Sequence, residues 1–594
     1  MRYGRHAGSD PQGPVVAAMT VALVAFALWR VRQGVDMGDG AHVVALAVRI
    51  AEGDVVLADE LNLQALGSLA AVPFTWAWLQ VAGLEGVVLA SRTFYVVLAL
   101  GVGALGYAAL RSGFRPLPAF VAVVLACTPT PYNLLVTSYN TVPGLMLGLA
   151  TFTGYAALVR RSGRWGSVAG VALALAVLSH PSALPGAAVL GLLLLVLGWR
   201  RGTAAAGLLL GGGLTSAVVV VGVLAGPGLG ALIATVDYTT SYQSARPEPV
   251  ARLMRTATDF ARTVVSPAYL PVLALAALAC PGRVPARWRA VAAALVPVAA
   301  ALPALARVGE PEHVGGTSGT YAVIVALVLA LPVTLGAVRR GDRDLRLLLA
   351  LAAPGLVGLL VYASLTNATA SWGAVVPPVV PLLGVLGLGV AATVAEAFGE
   401  PWRGGADGGG GSPRTVGVAT LVVVVLAVTS LLGTHTLRSF RDPAPWIATT
   451  AVETGPNAGL RTTAARASSD CEWQLLLGAW ARPGEGLLAY SLPAAYLYTD
   501  GPTDTAIVWL GDFGAANADV VDWLDRTGRW PDVVVVQSAI ARAWEEKSTT
   551  DPLIGRLAAG YGPPQDVDHF FVLRRDGATE PPSPVRDRTS CAVG

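Results

Sequence analysis

The sequence predicts an α-helical polytopic membrane protein with about thirteen transmembrane helices and a C-terminal extracytoplasmic α/β domain. Three observations predict it. Apolar residues make up 54% of the 594 and charged residues 13%, against roughly 25% charge in an ordinary soluble domain. Charge is also uneven: residues 1–434 hold 45 charged side chains and residues 435–594 hold 34. The chain therefore divides into a membrane domain, 1–434, and a soluble tail, 435–594. Finally, arginines fall mainly between apolar runs rather than in one cluster, which excludes a nucleic-acid surface and gives a topology instead.

A membrane-spanning helix needs about 20 mostly apolar residues. Thirteen runs qualify or come close: 14–31, 86–110, 117–135, 142–159, 166–179, 183–198, 203–225, 264–281, 289–306, 319–338, 346–364, 374–396 and 416–434. Runs 166–179 and 183–198 are short and read as a helical hairpin turning at Ser179-His180-Pro181. With the N-terminus inside, the inner loops carry 18 arginines and the outer loops 7. That matches the excess of Lys and Arg on cytoplasmic loops. An odd number of spans then leaves the tail outside. The expected location is the cytoplasmic (inner) membrane, multi-pass. Of the 41 basic residues only Lys547 is lysine, a bias that fits a GC-rich bacterial genome. The apolar stretch 64–82 is long enough to span, but a span there would invert every later arginine-rich loop. It is expected to lie along the outer interface, a depth favoured by Trp76 and Trp78.

The first outer loop, about residues 32–85, carries the densest acidic group of the membrane domain: Asp36, Asp39, Glu52, Asp54, Asp59 and Glu60, with His42. After Asp39 an amphipathic helix is expected, ended by Gly53. Asp39 suits a helix N-cap. Asp36, Asp39 and His42 could also ligate a divalent metal, although such spacing is common by chance.

These motifs in this order resemble a known family. An Asp follows span 1; then come a helix, Glu52-Gly53-Asp54, Asp59-Glu60, and Ala90-Ser91-Arg92 opening span 2. The arrangement resembles the first periplasmic loop of GT-C glycosyltransferases, notably lipid A aminoarabinose transferases and protein mannosyltransferases. Ser138-Tyr139-Asn140-Thr141 and Ser179-His180-Pro181 stand where that family carries later motifs. The resemblance implies inverting transfer of a sugar from a polyprenyl-phosphate carrier to an envelope glycan, lipid or protein acceptor at the outer face. It implies Asp39 as the base, with Glu60 or Asp59 as a second carboxylate. Asp36, His42, Arg92, Tyr139, Asn140, His180, Arg246, Arg252 and His313 are the expected substrate-binding residues, the outer-loop arginines meeting the phosphate. Two positions depart from the pattern: Gly40 stands where a Glu is expected, and Asn140 where an acid is common. No cofactor is implied with certainty. A lipid-linked-sugar transporter and a non-catalytic envelope scaffold are the rival readings.

In the tail, strands are expected near 486–491, 505–510, 532–537 and 569–574, and helices near 518–527 and 540–561. No nucleophile elbow, phosphate loop or metal-spaced cluster occurs there, so the chemistry is expected elsewhere. An exterior domain permits disulfides, and Cys471 is expected to pair with Cys591.

Overall fold

The computed structural model describes residues 12–583 and 591, apart from 201, 245, 283, 307–316, 366–374, 401, 403–416 and 438–440. Among the described residues nine helices are long and apolar enough to cross a membrane. They are Gln12–Arg30, Val87–Leu110, Val142–Arg160, Pro181–Trp199, Thr203–Ala225, Ser318–Arg339, Arg343–Leu365, Val376–Ala397 and Val418–Leu437.

Three further apolar helices are too short to count among these: Pro116–Cys127, Gly163–Ser179 and Leu270–Ala279, the first and last also shorter than the runs that predict them. Prolines cut two of them. Pro129 and Pro131 follow Cys127, and Pro267 precedes the Leu270 helix; a proline removes a backbone donor and clashes with the preceding turn. The stretch 64–82 is not one helix. It forms a 3₁₀ segment, Leu63–Ser68, and an 11-residue helix, Val72–Ala82. That helix is about 16 Å long, roughly half a hydrocarbon core.

Glycine sets one helix pair in backbone contact. A Cβ on Gly207 would fall 2.0 Å from the Gly163 carbonyl oxygen, and one on Gly211 would fall 2.2 Å from that of Ser167. On the facing helix, Cβ atoms on Gly166 and Gly170 would meet the Ala204 and Leu208 oxygens at 2.3 and 2.2 Å. Small residues four apart let two helices in lipid approach this closely. Helices Gly163–Ser179 and Thr203–Ala225 thus pack backbone to backbone.

The tail contains a two-stranded ribbon, β1 (Thr450–Ala451) and β2 (Arg461–Thr462), and a four-stranded sheet. The sheet comprises β3 (Leu487–Tyr490), β4 (Val533–Val536), β5 (Gln565–Asp566) and β6 (Phe571–Arg574), in the order β3-β4-β6-β5. β3 and β4 are parallel; the other pairs are antiparallel. Both β3 and β4 are buried throughout, as expected of strands covered on both faces.

The expected strand at 505–510 is not a strand. Its backbone bonds to the first loop instead: Leu61 N–H donates to the Ala506 carbonyl at 2.8 Å, and Val508 N–H to the Glu60 carboxylate at 2.9 Å. Only isolated bridges, Leu487 with Thr503 and Tyr490 with Leu510, reach the sheet. The expected helix at 540–561 is three short helices, Ser538–Arg542, Trp544–Thr550 and Pro552–Gly560. Asp551 starts the last of them by accepting from Leu553 and Ile554 N–H, with Pro552 at its first position. An additional helix, Ala464–Trp480, carries Cys471, which is bonded to Cys591 with Cα atoms 5.6 Å apart.

The first loop and the tail share a core. Val44 and Leu46 of the loop helix Asp39–Ala51 cluster with Leu477, Ala489, Tyr496 and Val535 of the tail. Gly34, Gly86 and Val88 N–H groups donate to tail carbonyls at 2.8, 2.9 and 3.1 Å. Packing therefore joins the loop to residues 400 positions away.

Candidate functional site

The turn before the loop helix is fixed by two buried arginines. Arg92 Nη1 donates to the carbonyls of Val31, Gln33 and Gly34 at 3.2, 3.2 and 2.8 Å. Arg30 reaches the Gln33 carbonyl at 3.1 Å. Asp442, just past the last membrane helix, accepts from Val35 N–H at 2.6 Å. A buried guanidinium spent on carbonyls holds a backbone in one shape. The shape it holds here is the one that presents Asp36 and Asp39.

Asp36 is buried and accepts from Gly38 N–H at 2.8 Å and from Gly40 N–H. It satisfies helix N-terminal donors, the role expected of Asp39. Gly40 sits against it, and a Cβ there would fall 2.8 Å from Asp36 Oδ2. Asp39 is the first helical residue, and about a fifth of its side chain (21%) meets solvent. Its Oδ2 lies 3.0 Å from Nη2 of Arg441. Burial raises its pKa to about 6; Arg441 opposes the rise and neighbouring Asp36 adds to it.

Around Asp39 the structure gathers rings and cations from distant parts of the chain. Trp509 of the tail meets His42 edge-on at 5.3 Å, and the Arg441 guanidinium lies 5.6 Å from the Trp509 ring centre. Burial lowers the His42 pKa to about 3, so the ring is neutral, with the Gln64 side chain as its polar neighbour. Tyr139 lies within electrostatic range of both Asp39 and Tyr242, and its hydroxyl stands beside the Asn140 amide. The Tyr139 ring is 5.8 Å from His180, which stacks on Tyr362 at 5.0 Å. His180 Nδ1 accepts from Ser182 N–H at 3.2 Å, which assigns the ring proton to Nε2. Arg246 donates to the Tyr242 hydroxyl at 3.2 Å and stacks over that ring and over Phe513 of the tail, at 4.9 and 5.6 Å. Asp39, Arg441, His42 and Trp509 thus meet between the loop helix and the tail, with Tyr139 within electrostatic range, while half-buried Arg246 lies beside Tyr242 and Phe513.

Other expected site residues lie elsewhere. Glu60 and Asp59 are at the opposite end of the loop helix. Glu60 Oε2 accepts from Arg49 Nη1 at 2.9 Å, and Arg49 is ten residues, about 15 Å along the axis, from Asp39. Asp54 completes the Arg49 pair. Asp59 accepts from Val55 N–H at 2.7 Å and faces Arg529 of the tail at 3.3 Å. Arg49 also donates to the Asp59 and Thr505 carbonyls, both at 2.6 Å. These groups clamp loop to tail. Glu52 is exposed. Arg252 braces its helix through Gln243 and the Leu365 carbonyl at 2.8 and 3.3 Å. His313 lies outside the described residues.

Among the described residues no three His, Cys, Asp or Glu side chains gather to hold a metal ion. Asp36 is spent on backbone donors and His42 faces Trp509, so the set Asp36, Asp39 and His42 does not fit a metal. Sequence reasoning missed Arg441, Trp509, Phe513 and Tyr362. Trp509 lay inside an expected strand, and nothing local marks Arg441 as different from any juxtamembrane arginine. Compared with protein-family profiles, curated proteins and solved structures, the chain matches none.

Proposed function

We propose that the protein is an integral-membrane glycosyltransferase that moves a sugar from a polyprenyl-phosphate carrier to an envelope acceptor at the outer face of the cytoplasmic membrane. The observation that carries the reading is Asp39: a partly exposed carboxylate with a pKa of about 6, beside Arg441 and within reach of the aromatic rings of Tyr139 and Trp509. In this reading Asp39 takes the proton of the acceptor hydroxyl as its oxygen attacks the anomeric carbon and the carrier phosphate leaves. Arg246, between Tyr242 and Phe513, faces developing negative charge on the leaving phosphate. Tyr139, Trp509 and Phe513 offer ring faces to a sugar. Nine long apolar helices support a multi-pass membrane chain; in this reading the arginine distribution sets the N-terminus in the cytoplasm and the tail outside.

The test is Asp39→Asn in full-length protein, read by mass spectrometry of envelope glycans. Loss of one glycan species at normal protein level supports the reading; an unchanged glycan profile sinks it. A non-catalytic envelope scaffold is the second reading. It is favoured by Gly40 and Asn140, which leave Asp39 without the acidic neighbours that the resemblance implies.

A further inference from the structure

Helix Pro249–Val264 has three faces: one packs on the membrane helices, one is apolar and open, and one is cationic. It follows helix Gly228–Ser244, whose Tyr242 meets Phe513 of the tail edge-on at 4.7 Å. Buried Arg252 donates to the carbonyl of Leu365, the last residue of membrane helix Arg343–Leu365, at 3.3 Å. The helix therefore starts level with the tail-side end of that membrane helix. Leu253 and Phe260 turn inward and pack on the membrane core. About a quarter of a turn round from them runs a stripe of Val250, Met254, Ala257, Ala261 and, just past the helix end, Val265. Val250, Met254 and Val265 are 68, 60 and 62% exposed, and both alanines are exposed too. About a third of a turn further on stand Arg255 and Arg262. Both are exposed, and among the described residues neither side chain makes an ion pair or a hydrogen bond. Arg246, three residues before the helix, is held by Tyr242 and Phe513 and does not belong to this face.

We propose that this helix lies in the lipid–water interface and binds the headgroups of anionic phospholipids through Arg255 and Arg262. Its three arginines and Asp259 keep it from crossing the bilayer, and its open apolar stripe is unsuited to water. An interfacial helix buries such a stripe at the boundary of the acyl chains and holds its cations among the headgroups. The order of the three faces meets that geometry: protein on one side, acyl chains against the stripe, arginines on the side away from the protein. An arginine stem can lie along the acyl boundary while its planar guanidinium meets phosphate oxygens. Charge selects the occupant. Asp259, the one acid of the helix, is half-buried and pairs with neither arginine, so the exposed charge is of one sign. A symmetric contact with a second copy would gather four arginines in one interface; an anionic leaflet neutralises them. The inference stands apart from sugar transfer and needs only that the chain is in a membrane.

Full-length protein in detergent is titrated with dioleoyl phosphatidylglycerol and with dioleoyl phosphatidylcholine, and bound lipid is counted by native mass spectrometry. The wild type should prefer phosphatidylglycerol. Arg255→Gln and Arg262→Gln should each weaken that lipid about fivefold, and together should bring it to the level of phosphatidylcholine. An equal loss of charge from exposed tail residues, Arg526→Gln with Arg542→Gln, should change neither lipid. Depth is read in nanodiscs of the same two lipids. With the free cysteines replaced, as Cys127→Ala and Cys280→Ala, a nitroxide on Met254→Cys should be relaxed more by oxygen than by a water-soluble nickel chelate, and one on Arg255→Cys the reverse. The proposal is overturned if the wild type binds the two lipids equally, if the paired Arg255 and Arg262 substitution leaves phosphatidylglycerol binding unchanged, or if the tail pair has as large an effect. It is also overturned if nickel reaches position 254 as freely as 255. If neither reagent reaches 254 and the paired substitution lowers the oligomer mass, a second copy covers the stripe and the lipid falls.

Discussion

The two ends of the loop helix Asp39–Ala51 carry the same chemistry and do opposite things. At its start a carboxylate faces an arginine from the tail, Asp39 with Arg441; at its end an arginine faces carboxylates, Arg49 with Glu60 and Asp54. The start is partly open to solvent: Arg441 and Asp39 are 43% and 21% exposed. The end is closed: Arg49 and Glu60 are 2% and 1% exposed, and Arg49 is fully committed. Residue type therefore does not separate a reactive carboxylate from a structural one. Exposure does.

The comparison is broken most directly at its open end. Asp39→Asn should lower sugar transfer by about 100- to 10,000-fold, the range for loss of a general base, while thermal unfolding in detergent stays as in the wild type. In the active protein the acidic limb of the pH–rate profile should fall near pH 6, where Asp39 takes up a proton. At the closed end the effect should be on stability. Arg49→Ala leaves Glu60 buried without its cation, a loss of about 3–5 kcal/mol, read as a lowered unfolding midpoint and protease cleavage between loop and tail.

Glu60→Gln sharpens the contrast. Burial lifts the Glu60 pKa from 4.5 to about 7, against the pull of Arg49 and the Val508 N–H. The folded chain therefore keeps a proton that the unfolded chain has lost between about pH 4.5 and 7. The stability this group contributes is full below that window and declines as pH rises through it. Glu60→Gln should flatten that slope relative to the wild type and leave transfer unchanged; a matching loss of transfer would return Glu60 to the site. The smallest expected effect is at Trp509. Trp509→Ala removes one ring contact and one cation–π contact of the folded chain, about 1 kcal/mol, and should lower the unfolding midpoint slightly while raising the KM for substrate several-fold.

Much of the architecture was legible because hydropathy is local. Each of the nine long helices coincides with an apolar run, and the failures are at Pro129, Pro131 and Pro267, where helix ends fall earlier or later than apolarity alone indicates. The tail was harder. Residues 505–510 have the composition of a strand, yet Leu61 and Glu60 claim their backbone groups, and no local pattern records a partner 448 residues away. The site shows the same limit. Asp39 could be singled out by its place after the first span, and Tyr139 and His180 by theirs. Glu60 is expected beside Asp39 because its position matches the second carboxylate that the resemblance implies; only the helix between them puts about 15 Å between their neighbourhoods. Arg441 and Trp509 carried no local signal, since what distinguishes them is the loop helix they touch.

The shared core of loop and tail also imposes an order of assembly. Glu60 is synthesised 448 residues before the Val508 N–H that it accepts. At about 5–20 residues per second a ribosome needs roughly 20–90 s to cover that distance. Through that interval Val44 and Leu46 of the loop helix lack the tail residues that cover them in the folded chain. That apolar face therefore stays open until the tail is made, and the tail completes a core begun by the first loop.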